Sequence, residues 1–314
     1  MIGALANRVH RAVSRGPRSL SSAYITCISW ISRSLLPVPA QRRVRNAICS
    51  YGHQWPDFAF APRRVRVGAR TRIALIPHWD EFDQEALFLS ALEYEVPVMC
   101  WLEDNVGATY DLVIEIGANA GLYTVFLDAL MKDAPALPEG RERRIVAFEP
   151  SAEAYRRLLA NLAANGTRHV AAFQAAVGEH SGLQPFFEPR QHLTNGSLLR
   201  EFSENFTDRI DETIAVVVAA PELARWLSPA GRALIKIDAE GFEPTLLSAM
   251  APLLDRHHPD LLIEVLPFTL DALNGIPALA DYDKYLLLPE GPVKADRLEA
   301  SGKHRDWLLR WPGH

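Results

Sequence analysis

From Asp111 onward the chain alternates apolar runs with segments of helical periodicity, and this alternation restricts the fold more than any other feature. Runs typical of strands occupy 111–117, 143–150, 169–178, 232–238 and 260–265. Between the first three of them, segments 121–132 and 151–164 carry apolar residues at helical spacing. Strands that alternate with helices form a parallel sheet with helices on both faces. The sequence therefore predicts an α/β fold with a doubly wound, mostly parallel sheet.

In such a sheet, ligands bind outside the carboxyl ends of the strands. The stretch "IKIDAEGFE" (235–243) ends a strand in a group of carboxylates around a glycine. We therefore expect Asp238 and Glu240 to lie at the ligand-binding edge. Glu243 is expected in the first turn of the following helix, where the helix dipole favours a negative charge.

A glycine turn, "EIGANAG" (115–121), follows the first strand of the alternating region. Such a turn lets the backbone approach a ligand closely and opens the N-terminus of a helix. A dinucleotide fingerprint would also need glycine at the positions of Asn119 and Leu122, and no Walker GK[ST] sequence follows. The turn therefore predicts a ligand site of another kind.

The second strand ends in "AFEP", with Glu149 at its tip. A carboxylate at this position can accept hydrogen bonds from both hydroxyls of a ribose. Its spacing from Gly121 exceeds the roughly 20 residues of a dinucleotide site. The charged, proline-containing insert at 132–144 accounts for the excess, so Glu149 is predicted to hold a ribose.

Four segments in this order resemble the FkbM-type S-adenosylmethionine-dependent methyltransferases: "EIGANAGLYT", "FEPSAEAYRRLLANLAANG", "AAVG" and "IKIDAEGFE". The resemblance covers about 111–265. Members of this family are mostly O-methyltransferases with a Rossmann-like class I fold. The resemblance thus implies that fold, S-adenosylmethionine as cofactor and methyl transfer as the activity.

The resemblance also implies roles for individual residues. Four of them would shape the methionine side of the cofactor site: Glu115, Gly117, Asn119 and Gly121. Glu149 would hold the ribose, and Asp238 and Glu240 would form the acidic motif after the fourth strand. Glu115 stands where the family usually has aspartate, so its contact with the cofactor amino group is expected to shift.

A hydroxyl that accepts a methyl group benefits from a base or from a metal that lowers its pKa. Asp238 is our first candidate for the base or for a ligand of a divalent metal, and Glu264 is a candidate second carboxylate in the same cleft. Glu240 either takes part in catalysis or fixes the loop. His192 is a competing base. We assign no metal-binding residues from the sequence.

The predicted function is O-methylation of a hydroxyl on a sugar, a glycan or a secondary metabolite. The enzymatic alternative is a nicotinamide-dependent reductase, which the incomplete glycine pattern disfavours. The other alternative is a non-catalytic cofactor-binding partner protein at a membrane, which the intact acidic motif disfavours. An acidic catalytic region argues against a nucleic acid substrate. The particular acceptor and the oligomeric state are left open.

The charge of −5 is distributed unevenly along the 314 residues. Residues 1–72 hold 13 arginines and one acid (13 − 1 = +12), and the remainder holds 20 basic and 37 acidic residues (20 − 37 = −17). This asymmetry predicts a basic N-terminal extension, residues 1–80, that is partly helical or poorly ordered. The methyltransferase domain is expected to occupy 81–314.

The extension contains an apolar stretch at 19–32 that is too short to span a bilayer and is followed by Arg33. An arm that lies on an anionic membrane through residues 1–50 is one interpretation of it, and a secretory signal is another. The three cysteines form no CxxC pair, which favours a reducing compartment. The predicted location is therefore the cytoplasm, with the inner face of a membrane as an alternative.

Overall fold

The computed structural model describes residues 18–49, 60–78, 85–137, 142–190, 195–205, 207–228, 231–300 and 304–313, together with residues 9, 12, 13 and 16. The chain divides into two compact units, Met1–Tyr94 and Glu95–His314. This division lies later in the chain than the boundary at residue 80 that composition suggested.

The first unit contains helices α1 (Arg18–Leu35) and α2 (Val38–Cys49), the hairpin of β1 (Arg63–Val67) and β2 (Thr71–Leu75), and the short helix α3 (Glu85–Phe88). Its core consists of the buried side chains of Ile25, Ile48, Phe60, Leu87, Phe88 and Leu89. Among the described helices, none is long and apolar enough to cross a bilayer.

The helices of the second unit are α4 (Val96–Thr109), α5 (Leu122–Lys132), α6 (Ala152–Asn165), α7 (Arg200–Glu204), α8 (Glu243–Ala249), α9 (Ala251–His257) and α10 (Leu270–Asn274). Its strands are β3 (Leu112–Ile116), β4 (Arg144–Phe148), β5 (Val170–Phe173), β6 (Ala176–Gly178), β7 (Gly182–Pro189), β8 (Ile210–Ala219), β9 (Ala233–Ile237), β10 (Asp260–Glu264), β11 (Asp283–Leu288), β12 (Gly291–Ala295) and β13 (Asp306–Arg310). Two short 3-10 helices lie at Ala220–Trp226 and Pro277–Leu279.

Eight of the described strands form the main sheet in the order β12-β11-β13-β10-β9-β3-β4-β5. Strands β10, β9, β3, β4 and β5 are parallel neighbours, and β13 runs antiparallel between β10 and β11. This arrangement confirms the predicted mostly parallel α/β sheet of the class I type. Every residue of β3 and of β9 is buried, as expected for central strands with both faces covered.

The third predicted strand, 169–178, is in fact two strands in different sheets. A hydrogen bond from the Ala175 N–H to the Phe173 carbonyl (3.0 Å) turns the chain sharply at Gln174. Before this turn β5 completes the edge of the main sheet, and after it β6 joins β8 and β7 in a three-stranded sheet. No glycine or proline lies next to Gln174, so the run gave no signal for this break.

The core on one face of the main sheet joins alternate residues of its strands to α8 and α9. The buried residues that α8 and α9 contribute are Leu246, Leu247, Met250, Leu253 and Leu254. The intervening strand residues face the other side. Glu115 and Lys236 belong to that second set, so the sheet presents charged groups on the face opposite to this core.

Asp260, the first residue of β10, connects several elements through hydrogen bonds at the amino end of that strand. It is fully buried, and its Oδ2 accepts hydrogen bonds from the Tyr110 hydroxyl (2.6 Å) and the Arg232 guanidinium (3.1 Å). Its Oδ1 accepts a hydrogen bond from the Trp311 N–H at 3.1 Å. The carboxylate thus connects the end of α4, the start of β9 and the end of β13.

Replacement of this carboxylate should destabilise the second unit strongly. Asp260→Ala leaves the Arg232 charge and the Tyr110 hydroxyl without their acceptor, and we expect a loss of about 3–5 kcal/mol of unfolding free energy. Denaturant unfolding of the parent and the variant measures this difference. Asp283→Asn, at the start of β11 in an exposed ion pair with Lys294, is the matched control and should behave like the parent. Equal stability of Asp260→Ala and the control would show that the network is not a structural anchor.

Candidate active site

The turn after β3 depends on two glycines with left-handed backbone. Gly117 has φ of +84° and Gly121 has φ of +83°. A Cβ on Gly117 would overlap the carbonyl oxygen of Asp238, and a Cβ on Gly121 would overlap the side chain of Leu158. Asn119, between them, also has positive φ (+49°), which asparagine tolerates better than most residues. The sequence "GANAG" thus brings the backbone of the turn directly against the end of β9 and the side of α6.

Glu149 lies beside this turn, at the end of β4. Its Oε2 accepts a hydrogen bond from the Asn119 N–H (2.7 Å), and its Oε1 accepts one from the Ser151 N–H (2.8 Å). Burial raises the pKa of Glu149 to about 7, although these two hydrogen bonds oppose the shift. Ser151 caps α6, since its hydroxyl accepts a hydrogen bond from the Ala154 N–H. The two backbone donors fix the orientation of the Glu149 carboxylate.

Glu115 and Lys236 are neighbours in the register of β3 and β9, and both are buried. Glu115 accepts a hydrogen bond from the Thr124 hydroxyl (2.7 Å). Burial raises the pKa of Glu115 to about 7, and the nearby Lys236 opposes this shift. The negative charge of Glu115 and the positive charge of Lys236 therefore partly compensate one another at the centre of the sheet.

Lys236 is the residue of this site that sequence reasoning missed. Its Nζ donates to Asp238 Oδ2 at 3.0 Å and lies 4.3 Å from the centre of the Tyr123 ring. Burial alone would lower the pKa of Lys236, but Asp238 and Glu115 raise it above its usual range. A lysine inside the otherwise apolar run "ALIKI" was the available signal, because a buried ammonium requires a partner.

Glu243 fixes the loop between β9 and α8. Its side chain is fully buried, and its Oε1 accepts hydrogen bonds from the N–H groups of Ala239 (2.9 Å) and Gly241 (3.4 Å). Burial raises the pKa of Glu243 to about 7. The residue lies in the first turn of α8, as predicted, and its contacts are those of a loop-positioning carboxylate.

The tip of the same loop is formed by Glu240 and Gly241, with φ of +52° and +89°. Glutamate is uncommon in this region of backbone space. The Ser197 hydroxyl donates to the Glu240 carbonyl (3.0 Å) and so supports this conformation. Burial, followed by Asp238 and Glu264, raises the pKa of Glu240 above its usual range.

Further carboxylates lie along the adjoining sheet edge. Glu264 at the end of β10 pairs in register with Asp306 at the start of β13, and Arg305 lies 3.5 Å from the Glu264 carboxylate. Burial raises the pKa of Glu264 to about 7 and that of Asp306 to about 8, and the neighbouring acids, Asp238 among them, raise both further. The edge therefore holds several carboxyl groups, and a negative charge on one of them makes ionisation of its neighbours less favourable.

The structure thus brings the predicted residues together in two adjoining groups. The first group consists of Glu115, Gly117, Asn119, Gly121 and Glu149, and the second consists of Asp238, Glu240 and Glu264. The backbone of Asp238 links the two groups, since its N–H donates to the Ile116 carbonyl at 3.0 Å. His192 lies outside the described residues. Within the described ranges, no three His, Cys, Asp or Glu side chains are placed to hold a metal ion.

Residues 115–309 match the Methyltransferase FkbM domain, which is more than half of the chain. The chain belongs to the FkbM methyltransferase family. The match spans the glycine turn, Glu149 and the acidic loop, and it continues through β13. No curated protein matches the sequence.

Solved structures show weaker similarity to this FkbM family member. The methyltransferase FkbM from Methylobacillus flagellatus KT has 17% sequence identity and a TM-score of 0.38, covering 65% of this chain, which spans 44% of the length of that protein. Precorrin-6y C5,15-methyltransferase from Geobacter metallireducens GS-15 has 16% identity and a TM-score of 0.37, over 70% and 90% of the two chains. A protein from Streptococcus mutans in complex with SAH has 11% identity and a TM-score of 0.35, over 69% and 99%.

The raised carboxyl pKa values predict that stability falls as pH rises. For each such group the folded-state pKa, about 7 for Glu264 and about 8 for Asp306, exceeds the ordinary value, so the native state binds protons that the unfolded state has released. Each additional bound proton changes the unfolding free energy by about 1.4 kcal/mol per pH unit. The contribution is fully present below about pH 4.5. It is lost as pH rises through 7 to 8.

Denaturant unfolding at pH 5.5 and pH 8 tests this expectation. Asp306→Asn should reduce the pH dependence, because it removes one of the titrating groups. Asp211→Asn is a suitable control, since its pairing with Arg190 lowers the pKa of Asp211 and places its titration below this window. A parent protein that is more stable at pH 8 than at pH 5.5 would contradict the prediction.

Proposed function

We propose that this chain transfers a methyl group from S-adenosylmethionine to a hydroxyl oxygen of a sugar, a glycan or a secondary metabolite. The observation that carries the proposal is the Glu149 carboxylate, which two backbone N–H groups hold beside the glycine turn. Each of its oxygens keeps a lone pair for a further hydrogen bond. The two hydroxyls of a ribose match this pair of acceptors.

The surrounding residues fit the rest of such a cofactor. The turn at Gly117 and Gly121 has no room for side chains, so its backbone forms the wall of the proposed site. Glu115 offers a carboxylate for the cofactor amino group, on the strand that precedes the turn. The bound cofactor would supply an electrophilic methyl group on a positively charged sulfur. An acidic surrounding favours that charge.

Loss of Glu149 should weaken cofactor binding. Glu149→Ala removes the acceptor of both ribose hydroxyls, and hydrogen bonds to a charged group contribute about 1.5–3 kcal/mol. Titration calorimetry with S-adenosylmethionine measures the affinity, and thermal unfolding checks that the turn remains folded. Glu153→Ala is the matched control, because Glu153 lies one turn away on α6 and pairs with Arg156 and Arg157 instead. Unchanged affinity in a folded Glu149→Ala variant would eliminate the proposed ribose contact.

Asp238 is the residue we assign to the acceptor hydroxyl. Its side chain is 30% exposed at the edge of the sheet, and its Oδ2 is held by Lys236 at 3.0 Å. The Oδ1 atom is therefore the oxygen left to accept a hydrogen bond from an incoming hydroxyl. Asp238 would accept the hydroxyl proton as the acceptor oxygen takes the methyl group that the cofactor would supply. Lys236 orients the carboxylate for this step.

The surroundings of Asp238 support an acceptor that carries several hydroxyls. Gly241 lies against the rings of Phe202 and Phe268, and Phe268 is largely exposed. An aromatic ring beside carboxylates suits a sugar, whose C–H face is apolar and whose hydroxyls donate hydrogen bonds. Glycan and metabolite extracts, incubated with the enzyme and cofactor, can be screened by mass spectrometry for the addition of one methyl group.

Asp238→Asn should separate catalysis from folding. The change is nearly isosteric and leaves Glu115 as an anionic neighbour of Lys236, so the fold and the cofactor affinity should persist. Turnover should fall by roughly 10²–10⁴-fold, the usual contribution of a general base. Asp283→Asn again serves as the control and should turn over like the parent. Parental turnover by Asp238→Asn would reassign the carboxylate to a structural role and make His192 the next candidate base.

Chelator treatment of the parent enzyme distinguishes the base from the metal-dependent mechanism. A base acting alone predicts unchanged turnover after chelation. Loss of turnover that a divalent cation restores would instead make Asp238 a metal ligand. Cofactor affinity, measured in parallel, shows whether the chelator acts on binding or on the chemical step.

A further inference from the structure

Helix α1 turns a mixed face inward, on which Ile25 packs in the hydrophobic core of the first unit. Three serines, Ser21, Ser29 and Ser32, are fully buried on one face. Their hydroxyls donate to backbone carbonyls of the same unit: Ser21 to Val13 (2.9 Å), Ser29 to Leu87 and Ser32 to Phe88 (2.8 Å). The buried face of α1 thus combines Ile25 with three hydroxyls, whereas an ordinary amphipathic helix turns a continuous apolar stripe towards the core.

The opposite face of α1 carries large apolar side chains that are exposed: Leu20, Trp30, Ile31 and Leu35. Trp30 is 62% exposed and Leu35 is 65% exposed. No charged residue occurs between Arg18 and Arg33. At 100° per residue these apolar side chains share one side of the helix, together with the exposed Cys27. An uncharged face of this length is an unusual surface to leave in water.

Arg33 does not interrupt this face, because its guanidinium is used inside the unit. It donates to the backbone carbonyls of Ala86, Leu89 (2.6 Å) and Arg64. Other arginines remain available: Arg43, Arg64 and Arg72 are exposed and form no ion pair with an acid among the described residues. Residues 1–94 hold 13 arginines and six acids (13 − 6 = +7), so the unit that contains α1 carries a net positive charge.

We propose that the exposed face of α1 docks on the surface of an anionic lipid bilayer, with the helix lying in the interface. The apolar residues would enter the boundary between headgroups and acyl chains, where tryptophan is enriched. The arginines would contact the anionic headgroups. In this arrangement the bilayer removes the apolar face from water, and its anionic headgroups neutralise the excess positive charge. No helix needs to span the bilayer.

A nucleic acid would interact with the arginines but not with the apolar face. It gains affinity from arginines that neutralise phosphates, but an uncharged face with Leu20, Ile31 and Leu35 offers it no contact. A second copy of the chain could cover the apolar face, but it would bring together two surfaces with the same excess of positive charge. The combination of an apolar face and positive charge therefore favours the membrane.

Vesicle sedimentation of the full chain tests the proposal. We expect binding to vesicles of phosphatidylglycerol and phosphatidylcholine that weakens with added salt, and much weaker binding to phosphatidylcholine alone. Trp30→Ser combined with Leu35→Ser should lower partitioning into the anionic vesicles at least about tenfold, because two large apolar side chains no longer leave water. Circular dichroism should show unchanged helix content, since both residues are exposed.

The matched control replaces two exposed apolar residues elsewhere. Leu183→Ser with Val216→Ser alters a cross-strand pair on the β7–β8 hairpin and should bind vesicles like the parent. Equal partitioning of the α1 variant and the parent would overturn the proposal, as would absence of vesicle binding by the parent. Binding to a nucleic acid in place of vesicles, or a parental dimer that the α1 variant disrupts, would likewise assign the face to a different partner.

Discussion

The ammonium group of Lys236 lies at the centre of the main sheet, where water does not reach it, and the active site is arranged around its charge. A buried cation is tolerated only with anionic partners. Asp238 supplies a direct ion pair, Glu115 lies beside it in register, and the Tyr123 ring covers it. These residues come from β9, β3 and α5. One charge therefore fixes the relative position of the turn that would hold the cofactor and the loop that would meet the acceptor.

The close contact between Gly117 and Asp238 serves the same purpose through the backbone. The missing side chain at Gly117 allows the two strand ends to meet, and the Asp238 N–H donates to Ile116 there. Glu149 adds a second connection by accepting from the Asn119 N–H. The proposed cofactor and acceptor contacts thus lie at strand ends whose backbones touch, which would keep the reacting atoms close and aligned.

The sequence was sufficient to predict the parallel strands, because apolar runs that alternate with helical segments fit few folds other than a parallel sheet. It predicted where Glu149 and Asp238 lie for the same reason: a residue at the end of a parallel strand reaches the ligand edge. The break at Gln174 was missed because a hydrogen bond between near neighbours, with no glycine or proline, produces it. The sequence left open whether the apolar residues of 19–32 face outward, because spacing identifies two sides of a helix but cannot tell which side is buried. Three backbone carbonyls accept from the serines, and only the folded chain shows them.

Repulsion among the carboxyl groups at the acidic edge of the sheet destabilises the fold, and a cationic methyl donor would offset this repulsion when it binds. Burial and mutual repulsion raise the pKa values of Glu264, Asp306 and Glu240, so these groups hold their protons more tightly than free carboxyls do. Arrangements that cost stability persist where the chemistry uses them. A sulfonium methyl donor is a cation, and a carboxyl-rich surrounding compensates its charge when it binds. Protons would leave the site as that charge arrives, and the carboxylates that they leave behind can accept hydrogen bonds from the hydroxyls of an acceptor.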